Sequence, residues 1–171
     1  MNNAIRAVSL AALLIALSDP VLAAEPHFIG TFHDWNAFTF QDGNNTVCYM
    51  ATRPKKTETK IKKRGDAYAL ITQRPAEKSF DVVSIIGGYA YKPNADVVVK
   101  IGKETFKLFS KDDTAWAPDP ATDKAITAAL RKSPTMTVKA MSAAGESLDT
   151  YSLNGAGAAY NAINTACKIK R

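Results

Sequence analysis

Histidine is almost missing from this chain. The two present, His27 and His33, both lie near the start, so a histidine-centred catalytic group has little to draw on. They could meet a metal only together with Asp34, and that spacing fits no familiar site; no His-Glu-x-x-His helix occurs either. No serine sits in a nucleophile-elbow pattern. Gly155-Ala-Gly157 lacks the third glycine and the βαβ context of a phosphate loop. The paired acids Asp112-Asp113 and Asp119/Asp123 have ordinary uses in turns and first helical turns. Nothing here specifies a catalytic residue, a metal ligand or a cofactor.

Cysteine is equally scarce. Cys48 and Cys167 are the only two, and their separation rules out a thioredoxin-like motif, which needs two intervening residues. Long apolar runs are also lacking, with one exception. Ala7 to Leu17 is apolar apart from Ser9, follows Arg6, and is broken by Asp19-Pro20. Val21-Leu-Ala23 then fits small-residue cleavage before Ala24. The run is too short to span a bilayer. It reads as a secretory signal over residues 1–23, leaving one domain over 24–171, with no transmembrane segment. Export to the periplasm or cell envelope implies oxidising conditions, under which cysteines pair. A Cys48–Cys167 bridge would close about 120 residues and remove about 4–5 kcal/mol of unfolded-state freedom on the chain-entropy model. Two free thiols, or one kept for a partner, is the rival arrangement.

Acidic residues are the minority. There are 22 Lys and Arg against 16 Asp and Glu, a net charge of +6, and the signal removes one of each sign. A basic exported protein is drawn to anionic lipid, acidic polysaccharide or nucleic acid. The excess concentrates in Arg53, Lys55, Lys56, Lys60, Lys62, Lys63 and Arg64, opposed within that run only by Glu58. Pro54 and Gly65 bracket it. It reads either as a solvated loop or edge strand guarded by lysines, or as a docking patch for an anionic partner. No aromatic interrupts it, so the stacking platform for single-stranded nucleic acid is missing.

Strand patterns dominate the rest. Aromatics crowd Phe28 to Phe40, Gln41 to Asn45 is turn chemistry, and Thr46 to Thr52 returns with Cys48 and Met50 on one face. Ala67–Gln73 and Phe80–Gly87 follow. Gly102-Lys103 between Asp96–Ile101 and Glu104–Phe109 predicts a type II′ hairpin. Asp119-Pro120 caps a helix with Ile126, Ala129 and Leu130 on its apolar stripe. Thr135–Ser142 and Glu146–Leu153 form a second hairpin. Asn154 opens a final helix whose stripe Ala156, Ala159, Tyr160, Ile163 and Cys167 would carry the cysteine onto the sheet. The pattern predicts an antiparallel β-sandwich with two short peripheral helices. Trp116, in a turn-rich stretch, reads as a plug over the sandwich end or as a partner contact.

Arg74-Pro-Ala-Glu-Lys-Ser79, Val83-Ser-Ile-Ile-Gly-Gly-Tyr89, Ile101-Gly102 with Thr105-Phe106, Asp113-Thr-Ala-Trp116, Met136-Thr-Val-Lys139 and Asp149-Thr-Tyr-Ser-Leu153 form an ordered series. From about Trp35 to Cys167 the chain resembles the invasion-associated locus B family, exported proteins of alphaproteobacteria. The resemblance implies a link to host-cell, especially erythrocyte, invasion in some pathogens and brings no catalytic residues. Where many members carry a further cysteine soon after a Gly-Asp-Trp-like motif, this chain has His33-Asp34-Trp35 and none, so it resembles a two-cysteine subgroup. The expected function is therefore non-enzymatic binding of an envelope protein or anionic envelope component. The alternative is a periplasmic hydrolase using Asp113, Asp119 or His33.

Overall fold

The computed structural model describes residues 25–170, and the expected signal segment lies outside them. In chain order the elements are β1 (His27–Phe32), β2 (Trp35–Asp42), β3 (Asn45–Thr52), β4 (Lys56–Thr59), β5 (Tyr68–Arg74), β6 (Ser79–Ile86), β7 (Val97–Ile101), β8 (Glu104–Lys111), β9 (Thr114–Trp116), α1 (Pro120–Leu130), β10 (Thr135–Ser142), β11 (Gly145–Ser152) and α2 (Ala156–Ala166). The strands form one antiparallel sheet, ordered β1-β2-β3-β5-β6-β9-β8-β7-β10-β11-β4.

The expected antiparallel architecture with two short helices is present. Its two layers are halves of a single sheet, joined through β8. Residues 104–108 of β8 pair with β7, while Phe109–Lys111 pair with β9. The halves face each other over one core. Ala37, Met50, Ile71, Val83 and Ile85 come from one side, and Val99, Leu108, Met136, Val138 and Tyr151 from the other. Trp35 is 0% exposed, and its indole N–H donates to the Ser152 carbonyl across the layers at 3.2 Å.

Some local expectations shift. The aromatic stretch Phe28–Phe40 is two strands, not one surface, because His33 adopts a left-handed φ of 52° and turns the chain before Trp35. Gly102 alone of the Gly-Lys turn has positive φ, as a type II′ hairpin requires. Asp119 caps α1 as predicted, its Oδ1 accepting from the Thr122 N–H at 2.8 Å. Asn154 does not cap α2. That position belongs to Gly155, at φ 89°, where a Cβ would lie 1.9 Å from the Phe32 carbonyl oxygen. Close approach of backbone to backbone selects glycine over a capping side chain.

The buried face of α2 delivers Cys167 to β3, where it is bonded to Cys48 with the Cα atoms 6.0 Å apart. The residue sits just past the helix end rather than within it.

Candidate functional site

The basic run divides into three parts. Arg53 and Lys55 precede β4, Lys56 opens it, and Lys60, Lys62 and Lys63 occupy the loop that follows. β4 is one edge of the sheet, pairing with β11 through Thr57 opposite Asp149. Four of the seven cations are already engaged. Arg53 makes a two-pronged contact with Asp66 at 2.8 Å, lies over the Tyr68 ring and reaches the Tyr68 hydroxyl. Lys55 pairs with Asp34, and its ammonium holds that carboxyl below the usual range. Lys56 pairs with Glu58 at 2.8 Å.

Arg64 departs most from the expectation of a solvated patch. Its side chain is 10% exposed and its guanidinium bonds both oxygens of Asp149, which is 4% exposed, at 2.7 and 2.5 Å. It also donates to the Gly87 carbonyl at 2.7 Å and the Ser147 hydroxyl at 3.1 Å, and lies over the Tyr89 ring. The hydrogen bonds to Asp149 hold its pKa above the ordinary arginine value. Next to it, Gly65 N–H donates to the Gly88 carbonyl at 2.7 Å, and a Cβ on Gly88 would meet the Gly65 oxygen at 2.4 Å. Arg64 is thus a structural anchor, removed from the candidate patch because its fork satisfies a buried carboxylate.

Lys60, Lys62 and Lys63 remain. All three are exposed and make no ion pair among the described residues. Their loop is held from within by buried Ile61 and from behind by Arg64. The result is a cationic tip on a fixed base, at the outermost strand.

Trp116 is neither in a turn nor in the core. It ends β9, and its neighbour Ala115 faces inward, so the indole lies on the outer face opposite Phe109. The two rings are 5.9 Å apart, and Phe109 is 54% exposed. The hydrolase candidates are scattered. Asp119 is committed to its cap, Asp113 bonds its neighbour Thr114, and His33 sits in the β1–β2 turn. His33 and Asp34 line an open cleft of 460 Å³ with Arg53, Lys55, Phe38 and Tyr68; His27 does not reach it. Among the described residues no three His, Cys, Asp or Glu side chains group as a metal site, and no helix is long and apolar enough to cross a membrane.

Sequence reasoning missed Asp149 and Tyr89, the partners of Arg64. Their only signal is Asp149 itself, a charged residue on an inward-facing strand position, where burial demands a counter-ion.

Fold and surface together define a disulfide-closed antiparallel β-sandwich that displays a small cationic tip. The family model described as invasion associated locus B (IalB) protein matches residues 35–164, and the chain belongs to that family. Comparison with curated proteins and with solved structures gives no match.

Proposed function

We propose that this is an exported, envelope-associated binding protein of the IalB type, which engages an anionic envelope partner through Lys60, Lys62 and Lys63 without catalysing a reaction. The supporting observation is the contrast within one run: Arg53, Lys55, Lys56 and Arg64 are neutralised locally, whereas these three lysines project unpaired from an anchored loop. The disulfide fits an oxidising compartment. The invasion role named by the family description is read as the same tip meeting an acidic host surface, with exposed Phe109 and the half-buried Trp116 beside it available to a protein partner.

Near an anionic membrane each lysine contributes about 1 kcal/mol. Three give about 3 kcal/mol, roughly a hundredfold in partition. The loop is already anchored, which limits the ordering cost. Sedimentation with anionic and neutral vesicles at low and high salt tests this. The wild type should pellet with anionic vesicles only at low salt, since the screening length falls to about 3 Å at 1 M. Lys60→Ser/Lys62→Ser/Lys63→Ser should stay in the supernatant with an unchanged melting curve. Equal pelleting by wild type and triple variant would show that the lysines only keep an edge strand solvated.

A further inference from the structure

The two outer faces of the sandwich differ in kind. Side chains alternate between core and surface along a strand, so the neighbours of core residues point outward. On the half built from β7, β10 and β11 these include Lys100, Lys139 and Glu146, beside Lys107 of β8, all of them exposed. Such a face is suited to water. On the other half, the outward positions across the middle of the sheet carry no charge.

Strand register sets these uncharged residues in two rows. The first runs Phe28, Phe38, Tyr49, Thr72 and Val82, from β1 to β6. The second runs Asn36, Ala51, Leu70, Ser84, Trp116 and Phe109, from β2 to β8. Within the rows the Phe28 and Phe38 rings lie 5.5 Å apart, and Phe38 stacks on Tyr49 at 5.0 Å. Central members such as Tyr49, Leu70 and Val82 are half-buried, whereas Phe28 and Phe109, at opposite margins, are 51% and 54% exposed. A continuous patch of this kind marks an interaction surface.

We propose that this face packs on the same face of a second copy of the chain, forming a twofold dimer. Charge favours that occupant. An anionic surface or an acidic protein would be met by unpaired cations, and the two rows contain none. The ionic groups at their borders, Arg53 with Asp66 and Arg74 with Asp42, stand at opposite ends of β5 as closed pairs. A face with both signs at each end is complementary to itself.

Size and shape agree. The face spans seven strands, β1-β2-β3-β5-β6-β9-β8, with β5 in the middle. At about 4.8 Å per strand and about 3.4 Å per residue over roughly five residues, its footprint is about 500 Å². Two copies together bury about 1,000 Å², the size at which a specific interface holds. A twofold axis along β5 keeps the strands of both copies aligned, as packed sheets prefer. It also brings each exposed Phe28 to the Phe109 margin of the other copy, one row apart, about 7 Å, which aromatic side chains span. The second copy is then the protein partner of Phe109 and Trp116. The lysine tip lies on the other half of the sheet, and the dimer does not depend on it.

The test is sedimentation equilibrium of the purified protein over a concentration series. The wild type should reach twice the monomer mass. Phe28→Ser and Phe109→Ser change exposed side chains and act twice across the axis, so each should weaken the dimer about tenfold or more. The double variant should weaken it by less than the product of the two, because both remove one shared contact. Met141→Ser, at an exposed position on the charged outer face, should dimerise as the wild type does. So should Lys60→Ser/Lys62→Ser/Lys63→Ser, which separates this face from the vesicle-binding tip. Each copy carries a net +6, so added salt should tighten the dimer while it weakens vesicle binding. A wild type still monomeric at about 100 μM, pelleting with neutral vesicles in place of self-association, multiplicative losses in the double variant, or a dimer that dissociates at high salt would each overturn the proposal.

Discussion

Arg64 shows how far one residue can depart from its neighbourhood in sequence. It ends a run of seven cations, yet its partner is 85 residues away and both side chains are largely withdrawn from solvent. Breaking such a pair leaves a buried charge uncompensated, at about 3–5 kcal/mol. Arg64→Ala should therefore shift the urea midpoint strongly. Arg64→Met/Asp149→Leu should recover most of the loss, because the pair removed as a unit also relieves its own desolvation. Glu58→Gln, which breaks the exposed Lys56 pair, should change stability by less than about 0.5 kcal/mol. Unfolding curves for the three variants decide this ordering; a mild Arg64→Ala would mean the guanidinium is dispensable. The run's composition was legible as charge. The division into anchor and tip was not, because it depends on which strand passes beneath the run.

At the scale of elements, periodicity carried most of the architecture. The α2 stripe pointed Cys167 at the sheet, and the bond to Cys48 is there. Helix entry was legible at α1, where Asp119-Pro120 is a local signal, and illegible at α2, where Gly155 is selected by the Phe32 carbonyl of a strand far back in the chain. Trp116 was misplaced for a similar reason. Three residues of strand between two turns leave too short a pattern to read, and only pairing with β6 and β8 defines them. These assignments predict opposite outcomes for adjacent residues. Gly155→Ala should cost about 3 kcal/mol or more, since the added carbon meets backbone that cannot yield. The melting temperature should fall by roughly 6–12 °C. Asn154→Ala, exposed and not the cap, should melt within a degree or two of the wild type. A large loss in Asn154→Ala with little in Gly155→Ala would reverse the assignment of the helix start.

At the scale of the whole molecule, stability must depend on pH in a way that the net charge of +6 does not indicate. Two carboxylates, Asp34 and Asp119, have lowered pKa values, from Lys55 and from the Thr122 backbone respectively. Their contribution is present above the ordinary value of 3.8 and is lost as pH falls through their folded values. Asp123 works in the opposite sense. Burial, with Asp81 and Asp119 nearby, pushes it up to about 6, although its Oδ1 accepts from the Val83 N–H at 2.8 Å. The folded state therefore binds this proton more tightly than the unfolded chain. The stabilisation is fully present below 3.8 and is lost as pH rises through about 6. The contribution is on the order of 1 kcal/mol. The two trends together place maximal stability on the mildly acidic side of neutrality. Asp123→Asn keeps an oxygen for the Val83 N–H and cannot ionise. Its stability relative to the wild type, from urea unfolding, should improve by about 1 kcal/mol between pH 4.5 and pH 7. Parallel pH profiles for the two proteins would mean that Asp123 is ionised throughout this range, and the mildly acidic optimum would then lose its cause.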